Sequence, residues 1–150
     1  MTAFVDIAEA IKGRLLQAPQ IVGDRVERSR QAALKKGWRN GIVVRLVRTR
    51  AQLAGVGPGA PKDWGTLYGV ECFARADADS VGEDAVDAVL AAAYERLAGA
   101  TLGLPALEDV MSEPEITWDT DEGETQTCRA TFIVRVSHRT TAAGLTAWGT

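Results

Sequence analysis

The chain has few of the residues from which enzyme sites are usually built. Its 150 residues include one histidine, His138, and two cysteines, Cys72 and Cys128. No Gly-x-Ser-x-Gly or His-Glu-x-x-His motif is present, and the cysteines lack Cys-x-x-Cys spacing. We expect His138 to be a surface or strand-end residue rather than a general base. These absences predict a non-enzymatic protein with two reduced interior thiols.

Long apolar runs are missing as well. A membrane-spanning helix needs about 20 mostly apolar residues, and no stretch of this sequence approaches that length. Asp6 and Glu9 place charges where a signal peptide would need its apolar segment. We therefore expect a soluble protein, made in a cytoplasm, without a membrane partner. The length and the 46 % hydrophobic content fit a single domain.

Two segments imitate ligand-binding loops without completing either. The glycine-rich residues 51–64 lack both the Gly-Lys-Ser/Thr ending and the Gly-x-Gly-x-x-Gly spacing of phosphate loops. In the acidic segment 119–124 glycine is at the fifth place instead of the sixth, and Ala130 replaces the glutamate of a calcium loop. We predict no cofactor and no metal. The first segment is interpreted as an assembly loop, with these residues as its candidates: Gly55, Gly57, Gly59, Lys62 and Trp64.

The strongest pattern lies in the last third of the chain. Even positions from Cys128 to Val136 are apolar and mostly polar residues stand between them, which indicates a strand with one buried face. A short β-prone segment at 115–118 precedes it, and residues 119–124 have turn chemistry. We predict a C-terminal β-hairpin over 114–140, with its second strand as the spine of a sheet.

Helical and strand periodicities alternate in the rest of the chain. Residues 2–18 carry one apolar stripe, with Thr2 as N-cap, and a second helix begins at a Ser-x-x-Glu capping box, Ser80 to Glu83, and ends at Gly99. Further segments are predicted as follows: strands at 41–50 and 66–76, a weaker strand at 21–30, and a short turn plus helix at 104–110. The predicted fold class is α+β, with a mixed, mainly antiparallel sheet and two principal helices packed on it. One domain should cover 1–140, followed by an extension at 141–150.

Charge is unevenly distributed along the sequence. Residues 1–50 hold eleven Lys and Arg against four Asp and Glu, whereas residues 51–127 hold three against sixteen. Residues 128–150 add three arginines and no acid. Complementary patches on one subunit suit head-to-tail contact between copies. Ordinary solvated surface charge would give the same count, so both interpretations stay open.

The order of these elements resembles the tail terminator (minor tail protein U) family of long-tailed bacteriophages. The resemblance is sharpest at three places: Leu-Pro-Ala-Leu at 104–107 with Asp109, Trp118-Asp119 with Asp121-Glu122-Gly123, and Ala-Thr-Phe-Ile-Val at 130–134. It implies a virion protein that forms a six-membered ring on the tail tube, stops tail growth and presents a surface to the head or neck. The implied partners are further copies, the tail tube protein and a neck or head-completion protein. The implied location is the head-proximal end of the tail.

Ring formation suggests which charged residues meet. We hypothesise that Arg45, Arg48 and Arg50 of one copy contact the acidic hairpin of its neighbour, namely Asp119, Asp121 and Glu122. A nucleic-acid-binding module is the alternative from another class, using the basic segment 25–50 with Trp38 available to stack on bases. The overall acidity counts against it, and no sequence-specific nucleic acid is expected. A neck or head-completion protein is a further alternative within the same structural class.

Overall fold

One mixed sheet with two helices on one face organises the chain. The computed structural model describes residues 1–28, 37–52, 59–76, 81–104, 107–121 and 126–149. The elements are α1 (Ala3–Leu16), β1 (Val26–Arg28), β2 (Asn40–Gln52), β3 (Lys62–Arg75), α2 (Gly82–Leu97), β4 (Leu107–Asp121) and β5 (Thr127–Thr140). The strand order is β1-β2-β3-β5-β4, and only β1 pairs in parallel. The α+β class and the C-terminal hairpin are therefore confirmed.

The core lies between the helices and the inner face of the sheet. All five even positions from Cys128 to Val136 are at most 4 % exposed, as the period of two predicted. The helix stripes are buried opposite them, at Ile7, Ala8, Ile11 and Leu15 of α1 and at Val86, Val89, Leu90, Ala93 and Leu97 of α2. Both cysteines are free and buried, as expected. In the described part of the chain, neither helix is long and apolar enough to cross a membrane.

The predicted turn and helix at 104–110 is wrong from residue 107 onward. Leu107 pairs with His138 and Val110 with Val136, so these residues begin β4. The pattern was hard to recognise because β4 contains two register shifts, one of them between Ser112 and Ile116. Pro114, which has no N–H to donate, stands inside that shift and on an edge strand, where a proline is tolerated. The first hairpin strand is therefore 15 residues long instead of four.

Smaller corrections concern the ends of elements. Of the weak strand expected at 21–30, residues 21–25 are not in a strand, Val26–Arg28 form β1, and residues 29 and 30 lie outside the described residues. Val81 occupies the N-cap position of α2, and Ser80 of the predicted capping box lies outside the described residues. Thr2 is the N-cap residue of α1, but its side chain makes no capping hydrogen bond.

The segment after β5 folds back on the body of the protein. Trp148 donates its backbone N–H to Arg139 O at 3.0 Å, and Ala147 forms a bridge with Thr140. Leu145 O accepts the backbone N–H of Ala3 at the start of α1, at 2.8 Å. The two ends of the chain are thereby joined at one side of the sheet.

Candidate assembly surfaces

The outer face of the sheet, opposite the helices, carries the arginines of β2. Arg45 pairs with Gly69, Arg48 with Leu67 and Arg50 with Gly65. A spacing of three from 45 to 48 would place the first two arginines on opposite faces of a regular strand. The register shift between Leu46 and Arg48 restores them to one face. Leu46, beside the shift, is 44 % exposed, so the buried positions of β2 end at Val44.

A charged network occupies the middle of this outer face. Glu71 is only 5 % exposed, and its Oε2 accepts a hydrogen bond from Arg45 Nη2 at 2.9 Å. Arg129 Nη1 lies 3.6 Å from the other carboxylate oxygen, and Arg129 Nη2 donates to Asp119 Oδ2 at 2.8 Å. Arg45 and Asp119, two members of the hypothesised contact between copies, are thus already bonded within their own chain. The basic and acidic portions of the sequence meet here inside one sheet.

A groove of about 500 Å³ lies beyond that network on the same face. We call it the arginine groove, and the residues that define it are Arg48, Arg50, Gln52, Gly65, Leu67, Glu113, Pro114, Glu115, Ile133 and Arg135. The shifted part of β4 forms the wall opposite the β2 arginines. Among the described residues, none of the salt bridges includes one of its three arginines. These guanidinium groups are therefore available to a partner that carries carboxylates.

Gly65 keeps the floor of the arginine groove low. A Cβ atom at this position would lie 2.8 Å from Gln52 Nε2 and 3.3 Å from Arg135 Nη2. The side chains of β2 and β5 therefore approach each other above the β3 backbone, where a larger residue would push the ends of Gln52 and Arg135 aside. Sequence analysis missed Gly65 and Arg135, because their convergence depends on strand pairing.

The second surface is the end of β4 nearest the hairpin turn. We call residues 116–121 the β4 edge. Ile116 is 41 % exposed and Trp118 48 % exposed, although they pair with the buried Phe132 and Ala130 of β5. β4 is the last strand of the sheet, so one side of its backbone has no neighbouring strand in the described structure. Asp119 lies here, Asp121 ends the strand, and Glu122 lies outside the described residues.

The predicted assembly loop does not include all of its candidates. Lys62 and Trp64 belong to β3, where they pair with β5, so their assignment to a loop is wrong. Trp64 Nε1 donates to Thr140 Oγ1 at 2.8 Å, and its ring meets Phe4 edge-on at 5.7 Å. Trp64 thereby holds α1 on the sheet. Gly59 lies in a turn with φ of 87°, and Gly55 and Gly57 fall outside the described residues.

His138 is at a strand end, as expected, but it is buried, with 2 % exposure. Its Nε2 lies 2.7 Å from Thr66 Oγ1. Thr66 Oγ1 accepts a hydrogen bond from Thr49 Oγ1 at 3.2 Å. Nδ1 has no hydrogen-bond partner in the described structure. Burial lowers the pKa of His138 to about 4, so the ring is neutral at pH 7. Among the described residues, no three potential metal ligands cluster together.

The basic residues proposed for nucleic-acid binding are partly used within the chain. Arg25 donates to Asn40 Oδ1 through Nε and Nη2, at 3.2 and 2.7 Å. Arg28 forms an ion pair with Glu9 at 2.8 Å. Residues 30, 35 and 36 of the basic segment lie outside the described residues. Arginines engaged in this way position β1 and β2 rather than line an open strip of positive charge.

Comparison with known proteins gives a match in structure only. No protein-family model matches the chain, and no curated protein matches it. Among solved structures, a chain of the virion of a native gene transfer agent (GTA) particle matches with a TM-score of 0.59 and 19 % sequence identity. The match covers 92 % of this chain and 98 % of that chain. At this identity the likeness defines the fold, which the two chains share over nearly their full lengths.

Proposed function

We propose that this chain is a structural virion protein of a phage-like particle. The observation that carries the proposal is the fold, shared almost end to end with a subunit of the gene transfer agent virion. The described surfaces suit such a role, because they offer charged and apolar contact areas rather than a cleft with reactive groups. We propose accordingly that the protein works by contact and makes or breaks no covalent bond.

Within that class, a tail terminator is the role we favour. The protein would form a ring on the last ring of the tail tube, end its growth and offer its other side to the neck. The motifs of the last third support this role, and so does a subunit that carries two different complementary surfaces, because such contacts between identical copies close into a ring when the rotation between neighbours allows it. The arginines of β2 are the basic partner in this contact. Arg48 and Arg50 carry more of it than Arg45, which Glu71 already binds.

Electron microscopy of the purified protein, alone and mixed with purified tail tubes, tests this role. We expect rings with a mass of about six times the 16.0 kDa of one chain, either free or at one end of the tubes. The double variant Arg48→Glu with Arg50→Glu should stay folded and lose the rings. A matched control, Asp84→Lys with Asp87→Lys, reverses two charges on the exposed side of α2 and should keep them.

Three outcomes would speak against the proposal. A chain that stays monomeric and ignores tail tubes would contradict the terminator role. Binding to head connectors in place of tubes would favour the neck or head-completion alternative. A salt-sensitive gel shift with DNA, weakened by substitution of Arg25, would favour the nucleic-acid module.

A further inference from the structure

We propose that neighbouring copies join by placing the β4 edge of one copy in the arginine groove of the next. This inference rests on the proposed ring assembly and adds the residues on both sides of the contact. It replaces Arg45 with Arg135 in the basic partner, because Arg45 is held by Glu71 and Arg135 lines the groove. It also adds an apolar component, which the charge pattern of the sequence does not show.

Asp119 and the arginines of the groove are too far apart in one chain to bond to each other. Asp119 of the β4 edge pairs with Arg129, whereas the groove is centred near Arg135 on the same strand. At roughly 3.3 Å per residue, the six steps from 129 to 135 separate these rows by about 20 Å. Asp119 can therefore reach the groove arginines only on another copy. A contact between two different patches is heterologous and allows a closed ring.

The charges and shapes of the two surfaces are complementary. Successive side chains of an extended strand point in opposite directions, so a strand lying along the groove turns Asp119 towards Arg48 and Arg50. Trp118 then faces the other wall, which Pro114 forms. Glu113 and Glu115 belong to that second wall and repel a carboxylate, so the opposite orientation is disfavoured. Asp119 can accept a bond from the new partner while Arg129 holds it, because one carboxylate has room for several donors.

The apolar part of the contact explains two exposed side chains. Leu67 and Ile133 form a half-buried apolar floor in the groove. Ile116 and Trp118 are exposed on an edge strand, and aromatic residues are favoured in the buried centres of interfaces. Burying Trp118 in the neighbour removes apolar area from water, and it also covers the open backbone edge of β4.

Cross-linking between two cysteine variants tests the contact directly. Gln52→Cys places a thiol in the arginine groove and Thr117→Cys places one on the β4 edge. The native Cys72 and Cys128 are 0 % and 4 % exposed, so they should not take part. Mixing the two variants under mild oxidation should give a cross-linked dimer of the two different chains. The matched control mixes Gln52→Cys with Asp87→Cys, which is exposed on α2, and should give none.

The outcomes separate this inference from the proposed function. Rings without the cross-link, or equal cross-linking of the Asp87→Cys control, would overturn the inference and leave ring assembly intact. Absence of rings and of tube binding would overturn both. The cross-link together with rings supports both.

A pair of glycine variants gives a second readout. Gly65 and Gly69 lie four residues apart on the outer face of β3, and only Gly65 lines the groove. Gly65→Ala should weaken self-association about tenfold or more, because its methyl group displaces Arg135 and Gln52. Gly69→Ala meets only the tip of Val47 closely, at 3.3 Å, and should associate like the unmodified protein. Equal association of both variants would contradict the role of the groove.

Discussion

Acid should destabilise this protein in a pH range that His138 sets. The ring is 2 % exposed and stays neutral because burial lowers its pKa from 6.5 to about 4. In the unfolded chain the same ring takes up a proton near pH 6.5. The contribution of His138 to stability is therefore fully present above about pH 6.5 and is lost as the pH falls towards 4.

The size of this effect follows from the difference between the two pKa values. One unit corresponds to about 1.4 kcal/mol, so the free energy of unfolding should fall by about 1.4 kcal/mol at pH 5.5 and about 3 kcal/mol at pH 4. Other groups change in a lower range. The ion pairs with Arg139 and Arg28 lower the pKa values of Asp63 and Glu9 below 3.8 and 4.5 respectively. Their contributions are kept above about pH 4.5, whereas that of His138 changes between 4.5 and 6.5.

Urea unfolding at a series of pH values measures this dependence. The unmodified protein and His138→Gln are compared, since glutamine can still reach Thr66 but does not titrate. The variant is expected to be less stable at pH 7.5, and the difference between the two proteins should shrink as the pH falls to 4.5. The change of this difference with pH is diagnostic, because a purely structural loss of stability would be the same at every pH. A difference that stays the same from pH 7.5 to 4.5 would refute the assigned role of His138.

Two further predictions concern the core. Phe132→Ala should lower the free energy of unfolding by about 3–5 kcal/mol, because Phe132 is fully buried against Tyr94, whereas Ile133→Ala, next to it on the outer face, should cost far less. Comparable losses in denaturant titrations of the two variants would contradict the assignment of faces in β5. Cys72 and Cys128 should react with a thiol reagent only after unfolding, because both are buried and burial raises the pKa of Cys72 to about 12. Rapid labelling of the native protein would show that the core is open.

Elements with one strong period could be predicted from the sequence. Every even position of β5 from Cys128 to Val136 is apolar, and the apolar stripe of α2 repeats without interruption. Each pattern therefore indicates the buried face of its element. A helix was predicted at Leu107 where the chain forms a strand. The first register shift of β4 lies between Leu107 and Asp109, so the alternation is broken as soon as the strand begins. A period cannot be recognised in a segment shorter than about two repeats. The start of β3 was predicted four residues too late, at 66 instead of Lys62. Gly65 reads as one more glycine of the glycine-rich segment that precedes it.

The candidate surfaces were harder to predict because strand pairing creates them. The charge distribution along the sequence is compatible with separate basic and acidic patches, yet Arg45 and Glu71 come from different portions of the sequence and meet in one ion pair. Arg135 joins Arg48 and Arg50 only because β3 and β5 bring them together over Gly65. The face on which Arg48 lies depends on the register shift between Leu46 and Arg48, and no residue type at these positions indicates such a shift. Such features require the register, which local sequence does not contain.

The charged network at Glu71 also decides where contacts between copies can form. The carboxylate of Glu71 is nearly buried and bound by two arginines. Moving either arginine away would leave this buried charge partly unpaired, which is costly. The charged groups in the middle of the outer face are therefore already paired within the chain, and a partner would add little stabilisation there. The groups available to a partner lie towards the two ends of the sheet. They are the guanidinium groups in the arginine groove at one end, and Trp118 with Asp119 on the β4 edge at the other. Because these ends differ in chemistry, a copy prefers the unlike end of its neighbour, and repetition of that contact gives every subunit in a ring the same surroundings.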